Sequence, residues 1–313
     1  MEKKTANELC NAIIPILGTS SSIDVIKEFE LSDLIILWTN AARLLDSNDG
    51  VPPVSTEMKK KFLSDMDEIF MMIRKKVLKL TEGYTLEDDG TKLPFLSGEG
   101  CIYLFLSAPE AEKAERKMQK AGKKVTARKI LNSKLIDFFA DSFFRNGAIG
   151  ILIYAKQHFI GINKNSFFME RGLPWETKET NDTLQPELVK NACLFEQELL
   201  KTDDKKDYLL LTERQEDFKH ALRNATLIVP VRVLEDGTWQ YPLLTDQNKE
   251  NGTPIFSDWI QFGMHYDVRE WKGIYCSVRE LLKHSNTFLF ILNFKTNCLT
   301  LRRDFLENLI KGE

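Results

Sequence analysis

The chain has 313 residues and a mass of 36.1 kDa, a length that suits about two domains of ~100–200 residues. Its 43% hydrophobic content fits a packed globular protein and excludes long disorder as the main theme. Lys+Arg 43 against Asp+Glu 46 leaves a net charge of −3, which argues against the whole chain binding a polyanion and leaves room for a local basic patch.

No run of ~20 apolar residues occurs, so no membrane-spanning helix is expected. The start, Met1 to Thr5, is not followed by the apolar stretch and small-residue cleavage site of a signal peptide, and a cytoplasmic location is the expectation. The five cysteines, Cys10, Cys101, Cys193, Cys276 and Cys298, are odd in number, widely spaced and free of any CxxC. They read as small buried hydrophobes in a reducing compartment, not as a disulfide framework or a thiolate zinc site.

Residues 20–45 read as a helix, because Leu31, Leu34, Ile35, Trp38, Ala41, Ala42 and Leu45 recur at spacings of three and four. Pro52-Pro53 breaks the chain. A second helix is predicted over 57–80, where Phe62, Met66, Ile69, Phe70, Ile73, Val77 and Leu80 form a stripe and Ser55 or Thr56 can cap the start. The pair makes a helical hairpin whose stripe packs in the core or against a partner helix. From Thr85 the pattern becomes mixed. Asp88-Asp89-Gly90 signals a turn and Cys101–Leu106 a strand. Then come a charged helix over 109–120 ended by Gly122, a short strand at 125–130, a helix over 133–144 and a strand pair at 148–154 and 158–162. Residues 171–207 read as a linker with a helix at 187–200, and a further helix is predicted over 213–221. Strands return at 226–233, 241–244, 288–294 and 298–301, with a turn at Asp236-Gly237 and a closing helix over 304–311.

The chain also repeats itself. Leu86–Ser97 resembles Leu234–Thr245, with Pro94 matching Pro242. Leu106-Ser107-Ala108 precedes Phe256-Ser257-Asp258 in the same order, and Val125–Leu131 resembles Cys276–Leu282. Finally Ile151–Phe167 matches Phe290–Leu306, so that Ile160 meets Leu299 and Ile162 meets Leu301. The last spacing is shorter, as a longer helix around 137–145 in the first copy would produce. The expected fold is therefore α+β: two related mixed α/β units with short twisted sheets and packed helices, at 83–170 and 208–313. A helical segment at 1–82 precedes them.

Ala225–Val231, Pro242-Leu-Leu-Thr-Asp246 and Pro254-Ile-Phe-Ser-Asp-Trp259 in that order resemble the N-terminal-type domain of the SseB-like (enhanced serine sensitivity) family over about 210–311. Phe288–Asn293 and Leu299–Leu306 take the places of its late strand and final helix, although Asn293-Phe294 stands where the family often has Asn-Pro. The resemblance implies a bacterial cytoplasmic α+β module and supplies no catalytic residues.

Motifs of known chemistry are absent. His158, His220, His265 and His284 have no metal-ligand spacing. There is no GxSxG and no GxxxxGK[ST], and Ser97-Gly98-Glu99-Gly100 lacks the third glycine of a dinucleotide loop. Neither a cofactor nor a metal is expected. What remains is aromatic and basic. Trp239, Tyr241, Trp259 and Trp271, with Asp246 and Asp258, are candidate binding residues because Tyr and Trp bury large area with a polar handle. Asp258 also suits a helix N-cap. Lys120, Lys123, Lys124 and Arg128 end a basic cluster that could touch phosphate, but no aromatics interleave it to stack bases. The reading is a noncatalytic binding or regulatory module that contacts a protein partner, a second copy or a small molecule. An enzyme with a site between the units, or weak nucleic-acid association through 113–129, is the alternative.

Overall fold

A computed structural model describes residues 22–46, 56–168, 184–245, 250–294 and 298–311, with Ile14, Leu17 and Thr296 besides. Pro52-Pro53, Ser55 and Asp246 lie outside the described residues.

The first half opens with α1 (Ser22–Ile26), α2 (Leu31–Asp46) and α3 (Thr56–Val77). The helix expected over 20–45 is interrupted at residues 27–30. Four consecutive residues of α2, Leu34 to Leu37, are buried, so this helix is covered on more than one side. It packs on α3 and on the sheet edge, where Thr39 Oγ1 donates to Phe159 O at 3.3 Å. The sheet follows as β1 (Glu82–Asp88), β2 (Cys101–Phe105), α4 (Ala108–Lys120), β3 (Val125–Leu131), α5 (Asn132–Phe144), β4 (Gly150–Ala155), β5 (His158–Asn163) and α6 (Lys164–Phe168). Its order is β3-β1-β2-β4-β5. The turn after β1 forms because Asp88 Oδ1 accepts from the Gly90 and Thr91 amides, both at 2.9 Å. Gly122, at φ +80°, ends the α4 region in the left-handed conformation that favours glycine.

The second half runs α7 (Pro186–Leu199), α8 (Tyr208–Arg223), β6 (Leu227–Val233), β7 (Trp239–Gln240), β8 (Leu244–Thr245), β9 (Asn251–Ile255), α9 (Trp259–Gly263), β10 (Lys272–Cys276), α10 (Val278–His284), β11 (Leu289–Leu292), β12 (Leu299–Arg302) and α11 (Arg303–Lys311). Helix α8 begins well before the predicted Glu213, because Asp207 accepts from the Leu209 and Leu210 amides at 3.1 Å and caps it. The predicted strand at 241–244 is instead two pieces, β7 and β8, on either side of Pro242.

Strand pairing shows that the two halves share one topology. β1 runs antiparallel to β3 and β2, β2 parallel to β4, and β4 antiparallel to β5. β6 runs antiparallel to β10 and touches Phe256 just past β9, β9 runs parallel to β11, and β11 antiparallel to β12. The register fixes the correspondence. Tyr84 faces both Phe105 and Lys129, and Ile228 faces both Phe256 and Tyr275. Ile153 faces Leu104 and Ile160, and Leu292 faces Ile255 and Leu299. The predicted matches of Ile160 with Leu299 and Ile162 with Leu301 therefore hold. Two others do not. Tyr84 corresponds to Ile228, so the match of Leu86 with Leu234 is slipped along the strand. Val125–Leu131 is strand β3, whereas Val278–Leu282 within its supposed match belongs to helix α10. A strand and a helix can share an arginine and a few aliphatics in a short window, because their apolar periods diverge only over longer runs.

A pair of helices precedes the sheet in each half: α2 and α3, then α7 and α8. Helix α7 thus lies within the segment read as a linker, yet its apolar residues enter two cores. Val189, Cys193 and Leu194 pack with the first sheet, and Leu188 and Ala192 with the second. Further ties join the halves. Gln261 Nε2 donates to Arg145 O at 3.3 Å, and Arg214 Nη2 donates to Gly98 O at 2.6 Å. Gly147, at φ +68°, is wedged where α7 starts: a Cβ there would stand 2.5 Å from Pro186 O and 2.6 Å from Lys190 N.

Candidate functional site

The two halves differ most in the segment that returns from the hairpin after their first strand. In the first half this segment is closed: Leu93, Phe95 and Leu96 are 3%, 1% and 1% exposed. In the second half it is open: Trp239, Tyr241 and Leu243 are 56%, 39% and 60% exposed. Val233 and Leu234 are exposed as well. Beneath it lies a cavity of about 300 Å³. Its floor is Val229 of β6, Thr253 of β9, and Ile274 and Cys276 of β10. Its walls are Glu280, Leu281, His284 and Ser285 at α10, with Trp239, Tyr241 and Tyr275 at the rim.

The polar groups around this cavity are largely engaged. Glu280 Oε2 accepts from Ser277 N at 2.8 Å and Ser277 Oγ at 2.9 Å, while the Glu280 amide donates back to Ser277 Oγ at 3.2 Å. This capping box follows from the Ser-x-x-Glu spacing and fixes the start of α10. The same contacts hold the Glu280 carboxyl below its usual range, backbone donation first. Thr253 and Thr287 share a hydrogen bond of 2.8 Å. On the other face of β10, Trp259 Nε1 donates to Tyr275 OH. Burial, helped by the Glu280 charge, pushes the Cys276 thiol up to about 12. At neutral pH it is a protonated thiol and a poor nucleophile. Among the described residues, no group of three or more His, Cys, Asp and Glu is placed to hold a metal ion. The cavity therefore offers apolar contact, aromatic edges and a neutral thiol.

The expected site residues fall into three places. Trp239 and Tyr241 meet at the cavity. Trp259 and Trp271 lie on the opposite face of the sheet, in an aromatic cluster with Phe256, Phe262, Tyr266 and Phe294. Trp259 rests on Gly273, where an added Cβ would come 2.4 Å from the indole. Arg232 sits over the Trp271 ring at 5.3 Å. Asp258 is the N-cap of α9: its Oδ1 accepts from Gln261 N at 2.9 Å, and its Oδ2 from Ser257 Oγ at 2.7 Å. Burial raises its pKa against these two contacts. Asn293 joins the same buried network, accepting from Ser257 N at 3.1 Å and donating to Ser257 Oγ at 3.0 Å. Asp258→Ala is expected to destabilise the chain by about 1–3 kcal/mol, because it removes a cap and strands buried donors. A urea midpoint unchanged from wild type would rule out this role.

The basic cluster is less open than its sequence suggests. Arg128 Nε sits 2.8 Å from Glu87 Oε2, and Lys129 is bonded to Glu82. Both acids come from β1, the neighbouring strand, a pairing invisible in the linear run of lysines. Lys123 lies over the Phe95 ring at 5.0 Å, and burial lowers its pKa. Lys120 and Lys124 are exposed.

Sequence reasoning missed the cavity floor. Ile274 and Cys276 carry no motif, and the register of β10 on β6 sets them beside Val229. No family model, curated protein or solved structure matches the chain. No described helix is long and apolar enough to cross a membrane.

Proposed function

We propose that this protein is a noncatalytic binding or regulatory module whose contact surface is the second-half cavity and its aromatic rim. The observation that carries the reading is the exposure of Trp239, Tyr241 and Leu243 above a preformed apolar cavity, where the equivalent surface of the first half is closed. Contiguous exposed apolar surface around a concave pocket is the usual mark of a binding site. Hydrogen bonds already occupy Glu280 and Thr253, and the Cys276 thiol is protonated, so the site is suited to holding a ligand and Cys276 is poorly suited to nucleophilic attack. The SseB-like resemblance, which supplies no catalytic residues, fits the same class. The Cys101 and Cys276 thiols are consistent with a reducing, cytoplasmic setting.

The test pairs binding with stability. Trp239→Ala and Tyr241→Ala are expected to leave the thermal midpoint within about 2 °C of wild type, because exposed side chains contribute little to folding. The same variants are expected to weaken binding of an apolar fluorescent probe, anilinonaphthalene sulfonate, at least fivefold. Unchanged probe binding in both variants would count against this surface. Turnover of any substrate, lost on substitution of a single cavity residue, would overturn the noncatalytic reading.

A further inference from the structure

The first half shows what belongs on this surface. Helix α5 has 13 residues and α10 has 7, so the second half lacks nearly two helical turns at this place. The extra turns of α5 carry Phe139 and Phe143, four residues apart and therefore on one helix face. Both are fully buried in the core that also holds Leu96, Ile102 and Ile130. Just beyond the helix, the Asn146 carboxamide donates to Pro94 O and so ties down the return segment. Its Oδ1 accepts from Cys193 Sγ at 3.0 Å.

In the second half, the register puts Cys276 at the place of Ile130, and Thr253 at the place of Ile102. These two residues line the cavity. Helix α10 stops at His284, on the cavity wall, and the chain passes directly to β11. The cavity thus lies where α5 continues in the first half, and the exposed Leu243 segment lies where Asn146 makes its tie.

We infer that the cavity takes an amphipathic helix from a partner protein, which supplies in trans what the last two turns of α5 supply in the first half. The inference rests on the proposal that this surface binds. The chemistry is specific: two large apolar side chains one turn apart enter the cavity, and a side-chain amide follows to meet the return segment. A second copy of this chain does not fit that role, because its own Phe139 and Phe143 are already buried. Helix-in-groove recognition through residues at i and i+4 is a common mode of peptide binding.

The experiment uses the full chain and a fluorescein-labelled synthetic peptide with the sequence of residues 132–146, read by anisotropy. Anilinonaphthalene sulfonate serves as a small apolar probe in a parallel titration. Saturable peptide binding is expected, with displacement of the small probe. Affinity should fall at least tenfold for a peptide carrying Phe139→Ala and Phe143→Ala. It should also fall tenfold for the protein variant Cys276→Trp, which fills the cavity, and for Trp239→Ala, which leaves the core untouched. Circular dichroism establishes that each protein variant is folded. Peptide binding that ignores these substitutions overturns the inference. Small-probe binding that is lost in Trp239→Ala, with no peptide binding, overturns the helix partner and leaves the surface a binding site for small molecules. Binding of neither overturns the helix partner and counts against the surface itself.

Discussion

Gly147→Ala is expected to destabilise the chain by about 2–4 kcal/mol and to loosen the two halves from each other. Two costs add. At φ +68° a residue with a Cβ is strained. The new methyl would also stand 2.5 Å from Pro186 O and 2.6 Å from Lys190 N, which are backbone atoms and cannot rotate aside. The relief available is for the start of α7 to move away. That shift would stretch the Cys193–Asn146 hydrogen bond and uncover Val189 and Leu194 of the first core. The measurement is the urea midpoint, with proteolysis around residues 184–190 as a local readout. A loss of unfolding free energy below about 0.5 kcal/mol would show that α7 adapts freely. Gly237 is the control. It also has a positive φ, +81°, but nothing lies within 4 Å of an added Cβ, so Gly237→Ala should show the strain alone.

Glu196→Gln is expected to stabilise the chain by about 3 kcal/mol at pH 8 and by almost nothing at pH 4. Glu196 lies on α7, and its Oε2 is shielded with no hydrogen-bond partner among the described residues. Burial, with a smaller push from Asp88, raises its pKa from 4.5 to about 7. The sign follows from proton linkage. Below about pH 4.5 the group is protonated in both states and has no effect on stability. Between 4.5 and 7 the unfolded chain loses its proton first, so stability falls as pH rises. Above 7 the folded chain carries the full cost of a buried carboxylate. Glutamine has the same shape and never ionises. Burial likewise raises Asp258, Asp141 and Glu87, so these carboxyls act in the same direction as Glu196. Urea midpoints of both proteins at pH 4 and pH 8 decide the matter. An equal difference at the two pH values would exclude titration of Glu196 as the cause.

The legible part of the fold was the part set locally. The stripe from Phe62 to Val77 and the capping residue Asp258 produced elements where periodicity and side-chain chemistry place them. So did the turns at Asp88 and Asp236. The SseB-like resemblance depends on such local strings, and it remains a proposal. The candidate site was half legible. Trp239 and Tyr241 stand out as aromatics in a strand-like stretch, but Trp259 and Trp271 stand out equally and pack on the other face. Side chains alternate along strands, so the face is decided by register, and register is a property of the partner strand. The same limit hid the acids beside the basic cluster, since Glu87 and Glu82 reach Arg128 and Lys129 across β1 and β3.

The long helices of the first half, the late strand pair and the shorter spacing of the second copy were determined by the sequence alone, because apolar period, caps and turn residues act within a few residues of themselves; β9, β10 and α10 were not read from it. Three things were decided only in three dimensions. One is the exact match between the copies, which the strand pairs set. Another is the role of α7, whose two apolar sides serve two cores at once. The last is the cavity: the sequence shows a helix cut short, but only packing shows that nothing described fills the space it leaves.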